Sequence, residues 1–367
     1  MFFERIQKQY TNQFPFVAYR QPNASKVLAL LQSDDKVYFV EDFMESGFVF
    51  APFDDTEKSI LIPFKEADKI ECSYTSQSKE PNKKEGASVS ENKERHINLV
   101  ENGIKAINNE EFKKVVLSRQ EAVTLSEFNL IQLFKKLLNK YPLAFVYCWY
   151  HPKIGLWLGA TPETLMKIEG NRFSMMALAG TQEDKGNLNV IWNNKEQEEQ
   201  QIVTDFIIEN LKQYVDNIKT SKTETVKAGN LLHLKTMISA NLRPELFKLK
   251  DLILSLHPTP AVCGLPKNSA KDFILEHEQY DREFYTGYLG ELNFESTLSP
   301  RFSRRNIENR AYTITKKSTR LYVNLRCVQI KNNKALIYVG GGITKSSNAE
   351  KEWEETVSKS KVIKSIL

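Results

Sequence analysis

The sequence predicts an α+β protein, with antiparallel β-sheets flanked by helices, and two observations carry that prediction. Stretches rich in aromatic and β-branched residues come in groups instead of alternating one by one with helical stretches. Two long segments also space their apolar residues helically. Residues 195–218 place Val203, Phe206, Ile207, Leu211 and Tyr214 on one face, and residues 348–367 do the same with Val362, Ile363 and Ile366. Such grouping disfavours a doubly wound nucleotide fold.

Residues 1–95 form a sheet-rich N-terminal part in which "KVYFVEDF", "GFVFAPF" and "KSILIPF" read as strands. It ends in "SQSKEPNKKEGASVSENKE", residues 76–94, polar and nearly free of apolar residues, as a solvated loop or linker would be. Residues 96–367 follow as the larger part. A helical pattern at 97–108 leads into the strand "KVVLSRQEAV" and a helix around 127–140. The strands "LAFVYCWY", "IGLWLGA", "TLMKIEG" and "RFSMMALAG" precede the first long helix.

The composition suits a folded, soluble protein: of 367 residues 41% are apolar and 26% charged. The N-terminal "MFFERIQKQY" carries charge where a signal peptide needs a continuous apolar core, so a cytoplasmic location is expected. "LAFVYCWY" is far below the roughly 18 residues of a membrane span, so no membrane association is expected. The 51 basic and 46 acidic residues are interspersed and form no stripe, which argues against a nucleic-acid partner. Cys72, Cys148, Cys263 and Cys327 lie far apart, as packed thiols do, and the five histidines show no paired spacing.

Four features bear on chemistry, each with an ordinary reading beside it. In "FKKVVLSRQ", Lys113 and Lys114 point to opposite faces of a strand. Lys114 is then either a snorkelling edge lysine or a desolvated amine able to take a proton. Glu163 in "GATPETLMKIEG" follows Pro162 at a break between strands, and is either a turn acid or a carboxyl whose pKa is raised by desolvation. Glu196 and Glu199 extend the apolar stripe of the first long helix, while Glu352, Glu355 and Lys359 do so on the last. These acids are either solvated helix starts favoured by the macrodipole or oxygen ligands for Mg²⁺. Gly340, Gly341 and Gly342 in "VGGGITK" fail the dinucleotide fingerprint and leave a turn or an anion-binding strand end.

In order along the chain, KVVLSR, GATPE, LAGT, K-x-x-x-E, HPTPAVCGLP, "YDREFYTGYLGE", NLRC, GGGI and "EWEETVSK" resemble the chorismate-utilising enzymes, the family of anthranilate, aminodeoxychorismate, salicylate and isochorismate synthases. The resemblance covers roughly residues 100–367, takes none of its motifs from residues 1–95, and makes residues 96–367 the catalytic core. It implies a chorismate-binding fold, antiparallel sheets sandwiched between helical layers around a central active-site cleft, and chorismate as substrate. Lys114 is then the base that activates water, where ammonia-using members carry glutamine, so no glutamine amidotransferase subunit is expected. Ala179 before Gly180 disfavours the aminodeoxychorismate branch, whose members carry lysine there.

By the same resemblance Glu163 is the general acid. Glu199 and Glu355 are ligands of a Mg²⁺ cofactor, with Glu196 and Glu352 behind them. Arg326, Lys359 and the loop of Gly340, Gly341 and Gly342 hold the substrate carboxylates. Gly180, Thr181, His233, Ala261, Tyr285 and Leu325 complete the pocket. Gln200 departs from the histidine that many relatives place after the metal-binding glutamate. The expectation is a monomeric, Mg²⁺-dependent isochorismate synthase feeding menaquinone or siderophore biosynthesis. The alternatives are a salicylate synthase and a non-catalytic chorismate-binding protein.

Overall fold

The computed structural model describes residues 1–76, 91–184, 186–228, 231–298 and 314–367. Its helices are α1 (Phe2–Thr11), α2 (Glu91–Asn108), α3 (Leu130–Lys140), α4 (Asn194–Leu211), α5 (Leu249–Leu256), α6 (Lys267–His277) and α7 (Ala349–Lys364). No helix among the described residues is long and apolar enough to cross a membrane.

Two antiparallel sheets form the centre. The first runs β15 (Gly264–Leu265), β7 (Lys114–Thr124), β19 (Lys334–Ile343), β18 (Cys327–Lys331), β9 (Gly155–Thr161), β8 (Phe145–His151), β1 (Phe16–Arg20), β2 (Lys26–Gln32), β6 (Ala67–Ser73). The second runs β12 (Val215–Thr220), β14 (Leu231–Leu242), β11 (Arg172–Glu183), β10 (Thr164–Glu169), β17 (Ile314–Val323), β16 (Tyr288–Leu298), β4 (Gly47–Ala51), β5 (Ile60–Pro63), β3 (Tyr38–Phe39), with β13 (Glu224–Ala228) also on β14. The α+β expectation holds, and strands from the first 73 residues enter both sheets.

Alternation along each strand sorts side chains into layers. Val17 and Tyr19 of β1 face the second sheet, where Phe48, Phe50, Phe145, Trp149, Trp157 and Tyr322 fill the space between the sheets. Phe145 stacks on Tyr322 with ring centroids 4.1 Å apart, and Phe50 on Phe284 at 4.2 Å. The intervening residues of β1, Phe16 and Ala18, pack outward beneath α1, α3 and α7 through Ile6, Phe134, Leu137 and Ile363. On the far side, Val203, Ile207 and Leu211 of α4 and Leu252, Ile253 and Leu256 of α5 cover the second sheet. The order helix, sheet, sheet, helix buries both faces of each sheet.

Several boundaries differ from the sequence reading. The helix expected over 195–218 stops at Leu211, because Val215 pairs with Leu242 and the chain becomes β12. Val215 and Ile218 fit a helical spacing, but a strand partner was available and took them. "KVYFVEDF" yields only the two-residue β3, ending before Phe43, whose φ of 66° is incompatible with an extended strand. In "LAFVYCWY" the strand begins at Phe145, leaving Leu143 68% exposed. The polar segment expected at 76–94 lies mostly outside the described residues, and its end is helical, since α2 begins at Glu91. The strands β1, β2 and β6 and the helices α1, α5 and α6 had no counterpart in the sequence reading.

Candidate active site

One cavity gathers side chains from four strands, two helices and the connections between them. Lys114, Glu163, Gly180, Thr181, Glu199, His233, Ala261, Tyr285, Leu325, Arg326, Gly340, Gly341, Gly342, Glu355 and Lys359 all line it. Of the catalytic, substrate-binding and metal-binding residues expected from the sequence, only Glu196 and Glu352 stand outside this lining. Val116 of KVVLSR, Leu178 of LAGT and Ile363 add apolar wall, and Leu231 and Tyr338, which no motif indicated, complete it.

The pleat separates the two lysines as expected: Lys113 is exposed and Lys114 is 1% exposed. Lys114 opens β7, held between Leu265 on one side and the C-terminal end of β19 on the other. Its Nζ lies 3.9 Å from Glu199 Oε2, an ion-pair distance too long for a hydrogen bond. Burial pulls the amine's pKa below the ordinary lysine value. Glu199 opposes that shift, while Lys195 and Lys359 reinforce it.

Glu163 occupies the break between β9 and β10, where Pro162 ends one strand and the Glu163 carbonyl accepts from Val323 N–H at 3.1 Å. Its side chain is buried at 4% exposure, and burial pushes its carboxyl up to about 8 against the opposing pull of Lys114. At neutral pH the carboxyl is protonated. The cavity therefore holds a proton donor together with an amine whose proton affinity is lowered.

Arg326 lies just before β18, with φ of 49°, and has no acidic partner among the described residues. Its Nη2 donates to His233 Nε2 at 2.8 Å, and His233 Nδ1 lies 2.9 Å from Gly180 O. A guanidinium only donates and a carbonyl only accepts, so the imidazole is neutral, protonated on Nδ1 and bare on Nε2. Burial and the Arg326 charge agree, holding His233 down at about 3. Gly180, at φ of 72°, fits because a Cβ there would come 3.0 Å from Glu196 Cβ. Since His233 orients a cation that lines the cavity, His233→Phe is expected to raise KM about tenfold, with kcat changed far less. Steady-state kinetics test the split, and His233→Gln, which keeps an acceptor, should recover part of the loss.

The triple glycine is part of strand β19 and not a loop. Gly340, Gly341 and Gly342 pair with Ser118, Leu117 and Val116 of β7, so the expected flexible anion loop is a side-chain-free strip of sheet. Close approach explains two of them. A Cβ on Gly340 would come 2.9 Å from both Leu117 O and Ser118 Cβ, and one on Gly342 would come 3.1 Å from both Glu199 Oε2 and Lys114 Cε. Lys359 Nζ donates to Gly340 O at 2.9 Å and pairs with Glu355 Oε1 at 2.7 Å.

The second turns of α4 and α7 thus bring Glu199 and Glu355 to the cavity, with Glu196 and Glu352 of the first turns behind. Burial alone would raise Glu355, but Lys359 and Lys195 hold it below the usual carboxylate value. Burial raises Glu352 despite Lys195. Glu196 Oε2 and Glu352 Oε2 are buried without a hydrogen-bond partner among the described residues. No group of three or more His, Cys, Asp or Glu side chains among those residues is placed to hold a metal ion on its own. One or two carboxylates completed by substrate and water is, however, the usual protein contribution to a Mg²⁺ site. Two cavity-facing carboxylates with unsatisfied acids behind them fit that demand. Gln200 turns its Nε2 to Thr236 Oγ1 at 3.0 Å and Ala177 O at 3.2 Å, bracing α4 on the second sheet.

Comparison with known proteins gives this cavity a family. A model described as "Chorismate binding enzyme" matches residues 44–297, and a second chorismate-binding model matches residues 312–365. The chain belongs to the chorismate-binding enzyme family. The first match reaches into the sheet-rich N-terminal part, which contributed none of the sequence motifs.

Among its relatives, the isochorismate synthase MenF of Pasteurella multocida is 29% identical over 279 residues, covering 73% of this chain and 60% of that protein. The isochorismate synthase EntC of Escherichia coli K12 is 28% identical, covering 66% and 59%. The vibriobactin-specific isochorismate synthase of Vibrio cholerae is 30% identical, covering 68% and 60%. The matches therefore span about three fifths of each relative's length. A crystal structure of a 2,3-dihydroxybenzoate-specific isochorismate synthase, DhbC, from Bacillus anthracis shares the fold at a TM-score of 0.76 and 19% identity, covering 100% of this chain and 99% of that one. The menaquinone-specific MenF of Escherichia coli does so at 0.75 and 20%, covering 97% and 89%.

Proposed function

We propose that this protein is an isochorismate synthase that converts chorismate to isochorismate, with Mg²⁺ as cofactor. The observation that carries this reading is the pairing of a buried amine of lowered pKa, Lys114, with a buried, protonated carboxyl, Glu163, in one cavity. Neutral Lys114 takes a proton from water as the water oxygen bonds to C2 of the ring. The ring double bonds shift, and Glu163 gives its proton to the 4-hydroxyl, which leaves as water. One water enters and one departs, so no redox cofactor is required. Lys114 ends as ammonium and Glu163 as carboxylate, which leaves their roles exchanged for the reverse reaction. Arg326 and Lys359 supply fixed cations for the substrate's carboxylates. Glu199 and Glu355 would hold Mg²⁺, which when bound supplies positive charge to a substrate carboxylate and relieves repulsion between that carboxylate and the two acids. Burial of both reacting side chains at strand ends fixes their positions before substrate arrives.

The test is a time course of chorismate conversion by NMR, with pyruvate assayed separately. Reversible accumulation of isochorismate with little salicylate or pyruvate is expected, because the apolar Ala261 offers the intermediate no side-chain hydrogen bond that would retain it for elimination. Salicylate formed as fast as chorismate disappears would make the protein a salicylate synthase, and binding without turnover would make it a chorismate-binding protein. In the same assay, Glu199→Ala and Glu355→Ala should each shift the Mg²⁺ activation curve to higher concentration by about tenfold or more, since each removes one of two anionic ligands. Parental curves for both variants would return the acids to a structural role.

A further inference from the structure

The cavity's acids are accompanied by the lysine that opens the K-x-x-x-E motif, a residue given no role so far. Lys195 sits in the first turn of α4, four residues before Glu199 and on the same helix face. Its ammonium donates to Glu352 Oε1 on α7 and stands 3.7 Å from Glu199 Oε1. Lys114 faces the other oxygen of Glu199 at 3.9 Å. Glu199 is thus flanked by the side-chain nitrogens of Lys114 and Lys195 and hydrogen-bonded to neither. On its outer side Lys195 lines a separate open concavity with Trp192, Asn193, Glu198, Lys345 and Ser346. Its side chain is 22% exposed, so it has a route outward, and Glu198, one turn along the same helix, is an exposed carboxylate able to receive it there.

We infer that Lys195 is a tethered countercation: it neutralises Glu199 and Glu352 when no metal is bound, and swings into the outer concavity toward Glu198 when a divalent cation arrives. This rests on the reading of Glu199 and Glu355 as cation ligands. Two cations cannot share one buried carboxylate cluster without mutual repulsion, so the lysine and the metal compete. The competition weakens metal binding but spares the protein the cost of burying unpaired acids.

Mn²⁺ binding is measured by titration calorimetry without substrate. Lys195→Met is expected to bind Mn²⁺ about tenfold more tightly than the parent, and Lys195→Arg, which keeps the charge, within about threefold of it. A Lys195→Met variant that binds Mn²⁺ equally or more weakly overturns the inference and leaves the metal site standing. A parent that binds no Mn²⁺, or binds it no better than Glu199→Gln does, fails the metal reading itself. Should Lys195→Met not fold, the unaltered protein decides the matter. Mass-spectrometric acetylation of Lys195 by limiting acetic anhydride should rise about threefold or more on adding Mn²⁺ as the amine moves outward. Unchanged or slower labelling overturns the inference.

Discussion

Lys114→Ala is expected to lower turnover by about 10²–10⁴-fold, the usual weight of a positioned general base, while Mg²⁺-dependent chorismate binding stays close to parental. Two features of the site separate those outcomes. The amine is 1% exposed and makes no hydrogen bond that would anchor it to Glu199, so its removal deletes a proton acceptor and not a strut. The cations assigned to the substrate carboxylates, Arg326 and Lys359, are held independently of it, by His233 and by Gly340 and Glu355. Truncation also leaves a small void against Gly342, so Lys114→Met, which keeps the volume, is the companion variant. Calorimetry for binding and NMR for turnover check the split. A parental rate in either variant would remove Lys114 from the mechanism.

On the proposed mechanism, the environment of Lys114 explains why acid and base come from distant parts of the chain. A lysine beside a buried carboxylate alone would be held protonated and useless as a base. Here Glu199 raises its proton affinity, whereas burial, Lys195 and Lys359 lower it, and the lowering wins. That balance needs β7, α4 and α7 together, and α7 reaches the site only because its parent strand, β19, pairs with β7 along ten registered positions.

How much of this was legible in the sequence follows from how local each signal is. The period-2 pattern of β7 and the opposed exposure of Lys113 and Lys114 are properties of neighbouring residues, and could be read directly. The strand character of Gly340, Gly341 and Gly342 could not, because it depends on pairing with residues 116–118, more than two hundred positions earlier. The end of α4 failed for a related reason: the apolar spacing continues through Tyr214 and Ile218, and only the distant Leu242 makes Val215 a strand residue. Lys195 entered the sequence analysis only as the first position of K-x-x-x-E, without a role, since its partner Glu352 lies 157 residues away. The i, i+4 relation of Lys195 to Glu199 was the one local sign of it.

Glu163→Gln should retain chorismate binding and lose turnover by about 10²–10⁴-fold, because an amide of the same shape has no proton to give the departing hydroxyl. The pH dependence identifies the group responsible. Burial raises the Glu163 carboxyl to about 8, so in the parent kcat/KM should fall as pH rises through that value, where the donor is lost. Stability carries the matching sign. A carboxyl whose pKa is higher folded than unfolded contributes fully below the unfolded value near 4.5, and that contribution is lost as pH rises through the folded value near 8. Glutamine has no such dependence, so the variant's melting temperature should exceed the parent's by a margin that grows from pH 5 to pH 8 and then levels. Scanning calorimetry at three pH values measures that margin. An inactive variant whose margin does not change with pH would mean that Glu163 is ionised in the folded protein and that the proton for the leaving hydroxyl comes from elsewhere.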